Sequence, residues 1–489
     1  MKIRVVDYIA EFIHDKLAIT KVYTLTGGGA MFLNDCVAKH PNLEGVYNHH
    51  EQACAMASVG DAKYTNGFAV SFLTTGCGAT NAITGLLDAW QDNVKCFFIS
   101  GQVKRKETSS NSSTELRQFG IQEANIISIV KSLTKYAVMI NDPNDIAYHL
   151  EKAKFLAENG RPGPIWLDIP LDVQGAIIET DQLKHFDYDL ENQSINKSES
   201  QIEKIAQFED LLKKSTRPIV LAGNGIRLGN AIDNLLEFIQ KYQIPVVSSY
   251  LAIDLIDNND PLYVGTVGIK GDRAGNFALQ NSDLVIAIGN RLSIGVTGFE
   301  YKLFAREARL VVVDIDPKEH QKNTVNIDLF INEDAKKFFE NIFEKLNPKF
   351  FTPIHGDPTF SNSLIDNNLK VWYIDPRGYF SKPGIWGDPM YDFTKIYYSA
   401  VGGYDLFNRK KFKLHIDNET VEIIMPESLF STSGKEIFKE YFSKDIGKIE
   451  TLHGLVWLSL SGYAKDDIDS VIGSFYLGLY YLEQGLKKL

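Results

Sequence analysis

The feature that most constrains this chain is a repeated unit: a short, nearly continuous apolar run that stops at glycine or aspartate, followed by a helical stretch. Val22-Tyr-Thr-Leu stops at Gly27-Gly28-Gly29, and Ala69-Val-Ser-Phe-Leu-Thr runs into Thr75-Gly76-Cys77-Gly78. Cys96-Phe-Phe-Ile-Ser ends at Gly101, and Pro164-Ile-Trp-Leu-Asp-Ile-Pro is a fourth run. Strands that are apolar on both faces belong in a parallel sheet covered by helices, whereas a strand with one wet face alternates. The unit returns in Pro218-Ile-Val-Leu-Ala-Gly-Asn-Gly, Leu284-Val-Ile-Ala-Ile-Gly and Leu310-Val-Val-Val-Asp-Ile-Asp. Each of these later runs ends in Gly or Asp at a strand's C-terminal edge, where open α/β sheets place ligands. The expectation is two doubly wound parallel-sheet α/β domains.

Two polar seams set the boundaries. Residues 179–200 are charged and rich in Ser and Asn, which is linker chemistry, and a second seam lies near Leu346-Asn-Pro-Lys-Phe. They divide the chain into 1–178, the 179–200 linker, 201–345 and 351–489. Three domains suit 489 residues at roughly 100–200 residues each. The third segment is rich in Tyr, Phe and Trp and reads as mainly α-helical. From Asp467 to Leu486, Ile, Leu, Phe and Tyr recur at helical spacing, and its aromatics are read as core.

A formal net charge of −11 weighs against a nucleic-acid-binding surface, which needs a basic patch. Cys36, Cys54, Cys77 and Cys96 form no Cys-x-x-Cys pair and read as reduced thiols of a cytoplasmic protein. No signal-peptide pattern and no apolar stretch of about 18 residues is present, so no membrane partner is expected.

The most informative segment is Gly45-Val-Tyr-Asn-His-His-Glu-Gln-Ala-Cys-Ala-Met-Ala-Ser: a strand end, Glu51, then a helix of small residues. Taken alone, Glu51 is also a carboxylate favoured by a helix dipole. It is accompanied by Leu25-Thr-Gly-Gly-Gly-Ala, Thr74-Thr-Gly-Cys-Gly-Ala-Thr-Asn-Ala, Ile99-Ser-Gly-Gln-Val, Ile121-Gln-Glu-Ala-Asn, Thr134-Lys-Tyr-Ala and Arg161-Pro-Gly-Pro-Ile-Trp-Leu-Asp-Ile-Pro. In this order, the set resembles the pyrimidine-binding domain of thiamine-diphosphate (ThDP) enzymes of the acetolactate synthase type. The resemblance implies that Glu51 is the catalytic carboxylate that activates the cofactor's aminopyrimidine, so that a ThDP ylid attacks a 2-keto acid in decarboxylation or carboligation. It also implies cofactor contacts at Gly27, Gly28, Thr75, Gly76, Asn81 and Gln122. His49 and His50 adjoin Glu51, as proton shuttles or, the reading favoured here, as rings satisfying a buried carbonyl. Cys77 stands where the family has Pro, with packing or a reactive thiol as the alternatives.

Residues 201–345 resemble the central domain of the same family, through Arg217-Pro-Ile-Val-Leu-Ala-Gly-Asn-Gly, Ser282-Asp-Leu-Val-Ile-Ala-Ile-Gly-Asn-Arg and Val313-Asp-Ile-Asp-Pro. Some relatives hold FAD there. Gly223-Asn-Gly225 lacks the full dinucleotide glycine pattern, so the residues give no positive sign of FAD. The family's Gly-Asp-Gly motif, which anchors the diphosphate through Mg²⁺, occurs nowhere in the sequence. The family's sites lie between subunits, so a homo-oligomer (dimer or tetramer), or a partner supplying the diphosphate domain, is implied.

The third segment departs from that family. His355-Gly-Asp-Pro-Thr-Phe-Ser-Asn362 has the His-x-Asp-x-x-x-x-Asn form of a kinase catalytic loop. Val371-Trp-Tyr-Ile-Asp375 and Gly387-Asp388-Pro-Met-Tyr-Asp392 follow. Residues 351–489 thus resemble the C-terminal lobe of aminoglycoside and choline kinases, which implies Asp357 as catalytic base and Asn362 and Asp375 as Mg²⁺ ligands. Three unrelated turns are the other reading, because Gly, Asp, Asn and Pro are also turn formers. Three functions therefore compete: a ThDP enzyme incomplete without a diphosphate domain, a small-molecule phosphotransferase, and a non-catalytic fusion.

Overall fold

The computed structural model describes residues 1–188, 201–344 and 352–489, apart from 354, 356, 366–369, 374–378, 381, 384–385, 418–419, 427–429 and 465–466. The seam at 189–200 and the one at 345–350 lie outside the described residues. The chain forms two compact units, Met1–Phe339 and Glu340–Leu489. Among the described residues no helix is long and apolar enough to cross a membrane.

The first unit opens with β1 (Lys2–Arg4), followed by β2 (Lys21–Thr24), β3 (Glu44–Tyr47), β4 (Ala69–Leu73), β5 (Cys96–Gln102), β6 (Tyr136–Met139) and β7 (Ile165–Pro170). Strands β2 to β7 form one sheet in the order β3-β2-β4-β5-β7-β6, with every neighbouring pair parallel. β8 (Ile177–Glu179) returns antiparallel to β1. The apolar runs at 69, 96 and 164 become the central strands β4, β5 and β7, buried along their whole length. The edges β3 and β6 are only partly buried and correspondingly less apolar, so their signal in the sequence is weaker.

The two faces of the sheet follow the period-two alternation of strands. Val70, Phe72, Phe97 and Ile99 point into a core capped by α1 (Val5–Leu17) and α2 (Met31–Lys39). Ala69, Leu73 and Phe98 point the other way, into a core shared with α3 (Glu51–Thr65) and α5 (Ile83–Asp92). The small residues of α3 let α5 come close: a Cβ on Gly85 would fall 2.5 Å from the Ala55 Cβ. On this face Trp166 is fully buried, stacks on Phe98 at 5.5 Å and donates its Nε1–H to Ser100 Oγ at 2.8 Å.

The second sheet of this unit comprises β9 (Pro218–Ala222), β10 (Val246–Ser248), β11 (Tyr263–Thr266), β12 (Leu284–Ile288), β13 (Arg309–Asp314) and β14 (Leu329–Asn332). Its order is β11-β10-β9-β12-β13-β14, again all parallel. Both sheets agree with the doubly wound architecture read from the sequence. β10, β11 and β14 are additional: they are short or end in polar residues, so an apolar-run criterion passes over them.

The second unit is mainly helical from Pro389 onward, with helices Pro389–Ala400, Ser431–Tyr441, Ile446–Tyr463 and Ile468–Leu486. The last two pack closely through small residues. A Cβ on Gly485 would meet the Thr451 nitrogen at 2.3 Å, and one on Gly454 the Leu482 nitrogen at 2.4 Å. This corrects the reading of the last helix's aromatics as core. Its buried face includes Ser470, Gly473, Ser474, Gly478 and Gly485, while Phe475, Tyr476 and Tyr480 are exposed. Close backbone approach needs small residues at the seam and displaces the large rings outward.

Candidate active site

The C-terminal ends of β2, β4 and β5 converge, and the loops leaving them build the first site. Gly27–Gly29 follow β2, Thr74–Gly78 follow β4 and Gly101 lies near the end of β5. A Cβ on Gly101 would sit 1.8 Å from the Gly29 carbonyl, so the loops touch through backbone. The Gly29 N–H donates to Thr74 Oγ1 at 3.2 Å, and buried Thr75 donates its hydroxyl to the Gly101 carbonyl at 3.0 Å. Thr75 thus ties two strand ends together. Gly27 backs onto the Thr74 side chain, and a Cβ on Gly28 would point into open space.

Glu51 is the first residue of α3 and is 9% exposed. Its Oε2 accepts a hydrogen bond of 3.0 Å from Asn81 Nδ2, at the end of α4 (Cys77–Asn81). Gly78, in the same short helix, faces the other oxygen, since a Cβ there would lie 3.0 Å from Glu51 Oε1. Gly76 is the N-cap residue before α4, with φ +65°, and a Cβ there would fall 1.9 Å from the Gln122 carbonyl oxygen. Glycine is therefore required at Gly76 on both conformational and steric grounds. The structure brings together Glu51, Asn81 and the Gly76–Gly78 turn, with Gln122 meeting that turn by its backbone. Gln122 itself is exposed and has φ +59°.

Two neighbours fix this region that the sequence did not single out. Glu123 accepts from the backbone N–H groups of Ser109, Phe119 and Gly120. Burial works against its charge, but these bonds and the Ser109 hydroxyl hold it below the usual carboxylate range. Asp168 on β7 is buried, and burial pushes its carboxyl up to about 6 against hydrogen bonds from Ser100 and Gln102. His50 corrects the expectation of a ring on a buried carbonyl: it is exposed, and its ring accepts the Gln52 N–H at 3.1 Å, capping α3. All four cysteines are free; Cys77 is the exposed one, at the start of α4.

The first unit also holds a cavity of about 980 Å³ at the C-terminal edge of the second sheet. Gly225, Gly289, Lys270, Arg291 and Asp314 line it, and Arg161 closes it from the preceding domain. Arg161 reaches Glu319 at 2.8 Å. Burial opposes the charge of Glu319, yet hydrogen bonds from Lys322 and Arg161, with Arg291 nearby, hold its carboxyl down at about 2. The strand-end glycines marked this edge in the sequence, but the size of the cavity did not follow from them.

Residues 3–126 match the family model for the thiamine pyrophosphate enzyme N-terminal TPP binding domain, and residues 205–342 match that for the thiamine pyrophosphate enzyme central domain. Both segments are thiamine pyrophosphate enzyme domains. The N-terminal TPP binding domain is the one that carries Glu51, Asn81 and the glycine turns. Similar curated proteins include a probable acetolactate synthase large subunit of Methanococcus aeolicus, 32% identical over 69% of this chain and 55% of its own length. The acetolactate synthase large subunit of Lactococcus lactis is 30% identical over 67% of this chain and 55% of its own. That of Corynebacterium glutamicum is 32% identical over 74% and 55%. The chain spans about half the length of these relatives.

In the second unit, the residues of the kinase-like motifs lie close together. Asn362 donates from Nδ2 to the Asp357 carbonyl at 3.0 Å and to Asp357 Oδ2 at 3.4 Å. Asp392 Oδ2 accepts the His355 N–H at 2.7 Å, and Asp388 caps the helix Pro389–Ala400. Lys395, which the sequence did not single out, pairs with Asp357 Oδ1 at 3.1 Å; the two side chains are 9% and 15% exposed. Its position three residues after Asp392 is the signal that was available. Strand Val371–Tyr373 runs antiparallel to Ser363–Ile365, and Asp375 lies outside the described residues. Among the described residues no group of three or more His, Cys, Asp or Glu side chains is arranged to hold a metal.

Proposed function

We propose that the first unit is the pyrimidine-holding half of a ThDP site that acts on a 2-keto acid. The observation that carries this is Glu51, largely buried at the start of α3, with one carboxylate oxygen taken by Asn81 and the other facing the glycine of a turn. Bound ThDP supplies the nucleophilic carbon for decarboxylation or carboligation. The residues of this chain do the rest: Glu51 presents a hydrogen-bonding oxygen to the aminopyrimidine nitrogen, and Gly28, where a Cβ would meet nothing within 4 Å, leaves backbone open to a flat ring. The diphosphate and its Mg²⁺ require a diphosphate-binding domain from a partner chain, since the Gly-Asp-Gly motif occurs nowhere in this sequence. A rise in melting temperature with ThDP and Mg²⁺, absent in Glu51→Gln, tests the reading. Equal shifts in both proteins, or in neither, contradict it.

The cavity of the central domain suits a nucleotide-containing cofactor in volume, with basic (Lys270, Arg291, Arg161) and acidic (Asp314, Glu319, Asp334) side chains together in its lining. FAD is one candidate, and the absorbance of the purified protein tests for it.

A second reading concerns the other unit. Asp357, Asn362, His355 and Asp392 are linked by hydrogen bonds, and this grouping supports a small hydroxylated acceptor with Asp357 as base. Phosphoryl transfer from ATP that survives Glu51→Gln and is lost in Asp357→Ala supports it. Absence of ATP binding in calorimetry counts against it.

A further inference from the structure

The Glu51 carboxylate has two chemically equivalent oxygens, and a ligand that exchanges a proton with it needs one of them to be designated. The surroundings of Glu51 do this. Oε2 accepts the Asn81 Nδ2–H at 3.0 Å. The carbonyl oxygen of a carboxyl group accepts an N–H better than its C–OH oxygen, so the Asn81 bond favours Oε1 as the oxygen that exchanges a proton. Oε1 lies on the side of Gly78, where any side chain would start 3.0 Å from it and 2.4 Å from the Thr74 methyl. Gly78 is buried, and Thr74 is itself held, its hydroxyl accepting the Gly29 N–H. The site therefore has one oxygen pinned and the other kept clear by an absent side chain. Among the described residues, no donor bonds Oε1.

We infer that Asn81 is a positioning residue for Glu51: it occupies Oε2, fixes the plane of the carboxyl group and leaves Oε1 as the oxygen that meets the aminopyrimidine. This rests on the ThDP reading of the first unit. It differs from a direct cofactor contact by Asn81, because the Asn81 amide group is used on Glu51 and its effect on a ligand passes through that carboxylate. A hydrogen bond between a neutral amide and an ionised carboxylate is among the stronger ones, and its loss frees the carboxyl group to turn about its last side-chain bond.

The experiment is a double-mutant cycle on the full chain, read by calorimetric titration with 4-amino-5-hydroxymethyl-2-methylpyrimidine, which carries the ring and no diphosphate. Wild type is expected to bind, Glu51→Gln to bind about a hundredfold more weakly but still measurably at millimolar ligand, and Asn81→Ala to weaken binding about tenfold or more. In the Glu51→Gln background, Asn81→Ala is expected to add no further loss, which a purely structural role does not produce. Asn81→Asp, equal in size but without the donor, is the second variant should the alanine protein fold poorly, and it is expected to weaken binding at least as much. Wild-type affinity in both Asn81 variants overturns the inference and leaves the ThDP reading standing. Losses that multiply in the double variant make Asn81 a direct ligand contact and also overturn it. No binding by wild type overturns the ThDP reading and this inference together.

Discussion

Gly78→Ala separates the requirements of the fold from those of the site. The new methyl group would lie 2.4 Å from Thr74 Cγ2 and 3.0 Å from Glu51 Oε1. Thr74 cannot simply rotate away, because its hydroxyl accepts the Gly29 N–H at 3.2 Å. Overpacking of this kind costs about 1–3 kcal/mol, and replacing a helical glycine returns up to about 1 kcal/mol. The net loss of stability is therefore about 1 kcal/mol. Ligand binding suffers more, because the group displaced is the Glu51 carboxylate. A hydrogen bond to a charged group is worth about 1.5–3 kcal/mol, or roughly ten- to a hundredfold in affinity. Gly60→Ala is the control: Gly60 lies within α3, and a Cβ there meets nothing within 4 Å. It is expected to stabilise by about 0.5–1 kcal/mol and to leave binding unchanged. Urea unfolding and calorimetric titration with the aminopyrimidine give the two quantities. Wild-type affinity in folded Gly78→Ala refutes the placement of Oε1, and equal stability changes at Gly60 and Gly78 refute the packing argument.

Three further outcomes follow from buried charges. Lys395→Met leaves the Asp357 carboxylate buried without this partner; it is expected to destabilise the second unit by about 3–5 kcal/mol in urea, with part of the loss restored in Asp357→Asn/Lys395→Met. His453 is fully buried, its Nε2 accepting the Trp457 indole N–H at 2.8 Å, and burial pushes its pKa down to about 3. The unfolded chain takes up a proton near 6.5 that the folded unit refuses, so stability is complete above about 6.5 and falls as pH drops towards 3; at about 1.4 kcal/mol per pH unit the ceiling is about 5 kcal/mol, and His453→Gln is expected to flatten this dependence in urea titrations at pH 4.5 and 7.5. Asp168 behaves oppositely: with its carboxyl pushed up to about 6, the folded state keeps a proton that the unfolded state releases near 3.8, so up to about 3 kcal/mol present below pH 3.8 is lost by pH 6, a slope that Asp168→Asn is expected to remove.

The parts of the molecule that the sequence made legible are those where burial dictates composition. β4, β5, β7, β9, β12 and β13 are covered on both faces, and a run such as Phe97-Phe98-Ile99 has no other soluble placement. The edge strands β3 and β6 are only partly buried and their residues carry no comparable constraint, while β10 is buried but at three residues is too short an apolar run to stand out. Glu51 was legible through the ordered motifs around it. Its hydrogen bond to Asn81 was not, because the two are 30 residues apart and meet only when the loop after β4 folds back over the start of α3. Lys395 was hidden for the same reason: a lysine on a helix face reads as solvated until Asp357 is found opposite it. The last helix shows the reverse failure, where aromatic spacing suggested a core and the glycines and serines between the rings made the contact.

A ThDP-dependent role for the first unit requires that Glu51 and its surroundings be a site for the aminopyrimidine. The most direct measurement is an affinity comparison of ThDP with Mg²⁺ and the diphosphate-free aminopyrimidine on the same purified chain, wild type and Glu51→Gln. The expected result is that both ligands bind wild type with similar affinity, since residues 1–342 hold the ring and not the diphosphate, and that both bind Glu51→Gln about a hundredfold more weakly. Absence of binding by either ligand, or binding that Glu51→Gln leaves intact, contradicts it.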